Sequence, residues 1–206
     1  MSWQTLGPDT PHRGGALTRW LGQRYLTWTG WRLEGVWPNE PKLIVAVAPH
    51  TSNHDFALTV AVNLALNLRS SFLAKHTLFR FPFGAALRRF GGIPVNRAST
   101  RGLVNDLVET FRTREQLVLG IAPEGTRNRV RAYRTGFAQV ARDAGVPVLP
   151  VTLNYDERLI RLEPMIADVS DAAATLHRVA ALAAAAWPRM AIPLSSPDDS
   201  RDQAAS

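Results

Sequence analysis

The apolar positions along this chain fall into runs of two different periods. Leu17, Trp20, Leu21, Tyr25 and Trp28 recur three and four residues apart, which is the spacing of one helix face. Thr10-Pro11 precedes them and reads as the helix start, because proline suits a first turn whose N–H groups lack intrahelical partners. Residues 42–47 are different: a short, β-branched apolar run with prolines on either side predicts a buried strand. Helical spacing returns over residues 53–68, and residues 71–74 read as a short strand. Residues 83–90 are helical and end at Gly91-Gly92. Ser99 opens another helix, with Leu103, Leu107, Val108 and Phe111 on its apolar face. Residues 116–121 predict a strand, 136–144 a helix, 146–153 a strand, and 158–166 one strand more. Residues 171–187 form an alanine-rich helix. From Pro188 onward Pro, Ser and Asp dominate, the composition expected of a disordered tail.

Strands that alternate with helices imply an α/β domain, with helices on the faces of its sheet. The expected division is an amphipathic N-terminal segment over 1–31, one domain over 32–187 and a tail over 188–206. In open α/β sheets the site lies beyond the carboxyl ends of the strands. His50 follows the strand at 42–47, and Glu124 follows the strand at 116–121, so both are expected at that edge.

Composition narrows the partners. A chain of 206 residues suits one domain with a real core. It has no cysteine, which excludes disulfides, thiolate nucleophiles and cysteine metal sites and fits a cytoplasmic setting. The formal net charge is +7, and Lys42 and Lys75 are the only lysines, so the positive charge is nearly all arginine. Arginine clamps phosphate in a bidentate way and rests well among lipid headgroups, although codon bias alone would produce the same excess. Anionic partners are expected in either case. Nucleic acid is not among them, because the aromatic residues are not interleaved with a basic strand face. Trp20, Trp28 and Trp31 instead alternate with Arg19, Arg24 and Arg32. That mixture suits a membrane interface, and the alternative is a helix that docks its aromatics on the domain. No apolar run is long enough to span a bilayer, so membrane contact is expected on one leaflet only.

Three segments carry candidate chemistry. In Pro49-His50-Thr51-Ser52-Asn53-His54-Asp55 a carboxylate stands five residues after a strand-end histidine. Across a tight turn, Asp55 can hold one imidazole nitrogen of His50 and leave the other free as a base. The same spacing also fits a solvated turn with a capping aspartate. In Ile121-Ala122-Pro123-Glu124-Gly125-Thr126-Arg127 glycine permits close backbone approach, threonine offers a hydroxyl and arginine a phosphate clamp. Read alone it is a polar turn; with Arg129, Arg131 and Arg134 following, it is a candidate anion site. Gly91-Gly92-Ile93-Pro94-Val95-Asn96-Arg97 reads as a turn into a strand.

Taken in order, these segments resemble the glycerol-phosphate and lysophosphatidate (1-acylglycerol-3-phosphate) acyltransferase family. That family carries a His-x-x-x-x-Asp motif, a Gly-rich segment ending in Arg, a Glu-Gly-Thr-Arg motif and a Val-Pro-x-x-Pro-Val strand. Here they stand as His50 to Asp55, Gly91 to Arg97, Glu124-Gly125-Thr126-Arg127, and Val146-Pro147-Val148-Leu149-Pro150-Val151. Lys75 and the step Phe81-Pro82-Phe83-Gly84 resemble further family features. The chain departs from the usual pattern at Asn96, Ala122, Asn128 and Arg134, all near the expected acceptor site.

The resemblance implies a single acyltransferase domain with a mixed sheet, preceded by an amphipathic helix. It implies transfer of a fatty acyl group from acyl-CoA or acyl carrier protein to a hydroxyl of a lysophospholipid or glycerol-phosphate-like acceptor. His50 would be the general base and Asp55 its orienting partner. Lys75, Arg97 and Arg127 would hold the acceptor's phosphate, while Glu124, Gly125 and Thr126 shape its pocket. No metal and no cofactor is needed beyond the thioester co-substrate, and the expected place is the cytoplasm, peripheral on the inner face of the cell membrane. Two other readings are weighed beside it. One is a peripheral lipid-binding protein without catalysis. The other is a metal-dependent hydrolase using the His-x-x-x-His spacing of His50 and His54 with Asp55.

Overall fold

The computed structural model describes residues 3–49, 54–80, 84–95, 100–124 and 133–190. The elements in chain order are α1 (Ala16–Trp28), β1 (Arg32–Glu34), β2 (Lys42–Ala48), α2 (His54–Leu66), β3 (Ser70–Lys75), α3 (Gly84–Arg89), β4 (Gly92–Val95), α4 (Thr100–Thr113), β5 (Leu117–Ile121), α5 (Gly136–Ala144), β6 (Val148–Asn154), β7 (Leu159–Leu162) and α6 (Ala172–Ala186). Short 3-10 turns at His76–Phe79 and Pro188–Met190 complete the list. The disordered tail expected from Pro188 falls, from residue 191 onward, outside the described residues.

The seven strands form one sheet in the order β1-β7-β6-β2-β5-β3-β4. All neighbours run parallel except β6 and β7, which form an antiparallel pair, so the sheet is mixed. The chain leaves β2, crosses by α2 to β3, and later returns through α4 to lay β5 in the gap between them. It then crosses by α5 to β6, on the other side of β2. The chain therefore reverses direction across the sheet beside β2, at the place where open parallel sheets leave a crevice.

Both sheet faces are covered, which explains the unbroken apolar runs of the central strands. Along β2, Ile44, Ala46 and Ala48 enter the layer shared with α4, α5 and α6. Leu43 and Val45 point the other way, into a layer with Leu26, Trp31, Leu58 and Ala65. The period of two sorts these side chains between two cores.

This region corrects two expectations, the start of α1 and the placing of Trp31 among the interfacial tryptophans. The helix starts at Ala16, with Gly15 as cap, rather than at Thr10-Pro11. The Thr18 hydroxyl accepts the Gly15 N–H at 2.8 Å, a capping bond within the first turn. Thr10 is buried and donates its hydroxyl to the Pro38 carbonyl, while the Pro11 carbonyl accepts the Arg69 N–H. Those two residues serve to tie the leading segment across the domain. The inner face of α1 is Gly22 and Leu26, and Trp31 beyond it is buried as well. The residues with helical apolar spacing, Leu17, Trp20, Leu21, Tyr25 and Trp28, are exposed. Trp28 is 83% exposed, which rules out docking as the fate of this tryptophan.

Other termini follow local chemistry. Asp171 caps α6 by accepting the N–H groups of Ala173 and Ala174. Gly145 ends α5 in the left-handed conformation that glycine tolerates. Gly91 turns the chain into β4 at φ 88°, and a Cβ there would lie 2.3 Å from the Ser70 carbonyl oxygen. Two strands were not anticipated with their true extent. β1 has three residues, and β4 begins immediately after Gly91.

Candidate functional site

The registers bring four strand ends to one edge of the sheet. β2 pairs with β5 through Ala46 and Ile121, and with β6 through Ala48 and Thr152. β5 pairs in turn with β3 through Gly120 and Phe72. Because these strands are parallel, Pro49 after β2, Glu124 after β5, Lys75 at the end of β3 and Tyr155 after β6 all stand at the carboxyl edge. Asp55 joins them from above, in the first turn of α2.

Asp55 is fully buried. A buried carboxylate needs partners, and its place in the first helical turn gives it a favourable field from the α2 dipole. It also accepts a hydrogen bond on Oδ1 from the Tyr155 hydroxyl. Tyr155 is itself fixed on two sides. The Trp31 ring meets it edge-on at a centroid distance of 5.0 Å, and the Trp187 ring lies beside it at 5.4 Å. Trp187 donates its indole N–H to Asp156, and Asn154 donates to the Ala186 carbonyl, so the end of α6 is tied to the end of β6. Arg158, at φ 49° in the following turn, reaches the Thr29 carbonyl after α1.

Glu124 is also buried, at 2% exposure. The Arg134 N–H donates to the Pro123 carbonyl at 2.8 Å, which brings residues 123 and 134 together. Tyr133 is buried, and its hydroxyl has no hydrogen-bond partner among the described residues. Burial, and secondarily the negative charge of Glu124, push the Tyr133 phenol well above its ordinary range, so it stays protonated. Lys75 is exposed at the end of β3.

Of the expected site residues, Asp55, Lys75 and Glu124 are thus brought to one edge. His50, Arg97, Gly125, Thr126 and Arg127 lie outside the described residues. Two aromatic hydroxyls were missed from sequence, Tyr155 and Tyr133. Tyr155 had a readable signal: it follows a predicted parallel strand at the edge where sites form. Among the described residues no group of three His, Cys, Asp or Glu side chains could hold a metal ion. No described helix is long and apolar enough to cross a membrane.

This mixed α/β sheet is a fold already solved elsewhere. The 1-acyl-sn-glycerophosphate (LPA) acyltransferase PlsC of Thermotoga maritima superposes with a TM-score of 0.54 at 19% identity, over 81% of this chain and 78% of that one. Residues 35–154, more than half of the chain, match the family model described as Acyltransferase, and the chain belongs to that family. The 1-acyl-sn-glycerol-3-phosphate acyltransferase of Haemophilus influenzae is 29% identical over 161 residues, which cover 74% of this chain and 65% of that protein. The protein of the same name from Borreliella burgdorferi is 43% identical over 86 residues, 39% of this chain and 34% of that one. The chain spans less than two thirds of the length of either relative.

Proposed function

We propose that this protein is an O-acyltransferase that moves a fatty acyl group from a thioester donor, acyl-CoA or acyl carrier protein, to the hydroxyl of a lysophosphatidate or glycerol-phosphate-like acceptor. The observation that carries the reading is Asp55: a fully buried, hydrogen-bonded carboxylate at the active edge of the sheet, five residues after a histidine. A carboxylate is costly to bury, and structure built to hold one at a strand-end crevice fits the orienting partner of a base. The relatives, named as 1-acyl-sn-glycerol-3-phosphate acyltransferases, support the acceptor class.

In this mechanism His50 takes the proton of the acceptor hydroxyl as its oxygen attacks the thioester carbonyl carbon. The carbonyl oxygen carries the negative charge of the tetrahedral intermediate. Its collapse breaks the carbon–sulfur bond, and the His50 imidazolium returns the proton to the leaving thiolate. The products are an ester and a free thiol. Asp55 holds the imidazole in one tautomer and offsets its positive charge while it is protonated. Arg127, Arg97 and Lys75 hold the acceptor phosphate, and Glu124, Gly125 and Thr126 shape its pocket. The mechanism uses no acyl-enzyme, because the acceptor hydroxyl stands where a protein nucleophile would.

The exposed apolar face of α1 supports action at a membrane surface, on one leaflet. Leu17, Trp20, Leu21 and Trp28 present apolar area, and Arg24 on the same helix and Arg32 at the start of β1 are exposed as well. The cytoplasmic face of the cell membrane, with its acidic lipids, matches that mixture.

Free-thiol release tests the proposal. Purified protein is given acyl-CoA or acyl carrier protein thioester with 1-acylglycerol 3-phosphate, glycerol 3-phosphate or a neutral alcohol. Acceptor-dependent thiol release is expected with a phosphorylated acceptor. Lipid binding without any release would leave the non-catalytic reading standing.

A further inference from the structure

We infer that Tyr155 is a positioning residue for the catalytic carboxylate: its hydroxyl anchors Asp55 so that the carboxylate presents one fixed oxygen to the base. The inference rests on the reading of His50 and Asp55 as base and orienter.

The terminal torsion of an aspartate is soft, with broad and roughly two-fold preferences. A carboxylate that is only buried can therefore turn and trade its two oxygens. Asp55 has Oδ1 taken by the Tyr155 O–H, which sets the plane of the group and commits the other oxygen to a single direction. Tyr155 can set that plane only if its own ring is held. The edge of Trp31 stands at 89° to it on one side, and Trp187 lies at 30° on another. The three aromatic residues come from the segment after α1, the end of β6 and the end of α6. The adjacency of β6 to β2 brings this cage to the carboxyl end of β2, beside the first turn of α2. A surface tyrosine needs no such cage, and a core tyrosine needs no carboxylate partner. The combination fits a phenol whose work is to aim Asp55.

The anchor also acts electrically. A phenol donating to Oδ1 draws part of the carboxylate charge onto itself. Its removal leaves more charge on the carboxylate, and a base oriented by Asp55 then holds its proton more tightly. Loss of the anchor thus disturbs both direction and charge balance at the base.

The test is Tyr155→Phe in the full chain, which keeps the ring and its packing on Trp31 and Trp187 while removing the donor. With acyl-CoA and 1-acylglycerol 3-phosphate, kcat is expected to fall about tenfold to a hundredfold, the size of a lost hydrogen bond to a charged group. KM for both substrates should change little, and the melting temperature by a few degrees at most. The loss should largely disappear in an Asp55→Asn background, because the two residues act as one unit. Independently of turnover, the His50 imidazole titration followed by NMR should move upward in Tyr155→Phe. An unchanged His50 titration overturns the inference, whether or not the chosen substrates react. So does a Tyr155→Phe enzyme with normal kcat while His50→Ala is inactive, an outcome that leaves the acyltransferase reading intact. If His50→Ala itself keeps full activity, that reading fails instead.

Discussion

Gly22 on α1 lies so close to Ala65 on α2 that a Cβ at Gly22 would stand 2.4 Å from the Ala65 nitrogen. The Ala61 carbonyl oxygen would be 2.6 Å away. The helices meet backbone to backbone, and this contact sets how α1 lies on the domain. Gly22→Val should therefore push α1 outward rather than fill a gap. Overpacking of this kind costs about 1–3 kcal/mol. For a chain of this size, about 2–4 °C per kcal/mol makes that a fall of several degrees in melting temperature. A thermal melt of Gly22→Val that matches the parent would show that the helices can separate freely.

His50→Ala is expected to lower turnover about a hundredfold to ten-thousandfold while the protein stays folded, the usual cost of a lost positioned base. Asp55→Asn should cost turnover similarly, and the two together little more than either, since a base and its orienter work as one unit. His54→Ala should be mild. If it proved as damaging as His50→Ala, and stoichiometric zinc were found in the purified protein, the hydrolase reading would displace the transferase. Steady-state thiol release on the four variants, with circular dichroism as the folding control, makes the comparison.

The elements legible in the sequence were those whose pattern is long and whose burial is simple. β2 and α5 stand where their residues place them, since an apolar run between prolines and a helix ended by Gly145 leave little choice. β1 has three residues and no periodicity to read, and only its pairing with β7 makes it a strand. α1 is legible in part. Its apolar stripe lies on the solvent face, as an interfacial helix requires, while Gly22 and Leu26 suffice for the inner one and Trp31, grouped with the interfacial tryptophans from sequence, is buried. The strand-end rule named His50 and Glu124; Glu124 stands at that edge after β5, and His50 lies outside the described residues. Tyr155 carried the strand-end signal, but its partner did not: the meeting with Asp55, one hundred residues away, depends on β6 lying beside β2, which no local pattern shows.

Tyr133 offers a test through pH. Its phenol is raised by burial and by Glu124, so the folded state holds that proton more tightly than the unfolded chain does, whose tyrosines titrate near about 10. Between those two values the native state binds more protons, and stability falls as pH rises. Stability from this group is therefore complete below pH about 10 and is lost progressively above it. Tyr133→Phe should blunt the alkaline loss. At neutral pH it should be neutral or slightly stabilising, because a buried hydroxyl lacking a partner among the described residues costs more than a ring hydrogen. Melting temperatures of both proteins at pH 8 and pH 10.5 decide it, and parallel declines would show that Tyr133 ionises without cost.

Arg127→Ala should weaken the use of a phosphorylated acceptor far more than the use of the thioester donor. A lost charge-assisted contact in a desolvated site costs about 1.5–3 kcal/mol, or roughly ten- to a hundredfold in acceptor kcat/KM. Arg127→Lys should recover only part of it, since an ammonium cannot fork across two phosphate oxygens. Equal losses on 1-acylglycerol 3-phosphate and on a neutral alcohol would make Arg127 a structural residue.

The outer face of α1 carries the membrane proposal, and its two faces allow a cleaner experiment than truncation. Removing residues 1–31 would take Leu6, Leu26 and Trp31 out of the core, and lost activity would then mean only lost folding. Trp20 and Trp28 are 55% and 83% exposed, so each can be changed to Ala with little effect on the interior. If a tryptophan buries about 100 Å² of apolar surface in the headgroup region, about 25 cal/mol per Å² makes it worth about 2.5 kcal/mol. Each Trp→Ala variant should then bind acidic vesicles at least about tenfold more weakly, and the double variant weaker still. Arg24→Ala should cost less, about 1 kcal/mol, and its contribution should vanish in high salt, whereas the tryptophan contribution persists because apolar burial is not screened. Melting temperatures should stay near the parent's in all four variants. On the membrane proposal, activity should fall on acceptor presented in vesicles and hold on a short-chain, water-soluble acceptor, because a docking helix acts on access to the surface and not on the chemistry. Vesicle flotation beside both assays separates the outcomes: a double tryptophan variant that floats like the parent removes the membrane role of α1, and one that loses activity equally on soluble acceptor moves these residues from docking into catalysis.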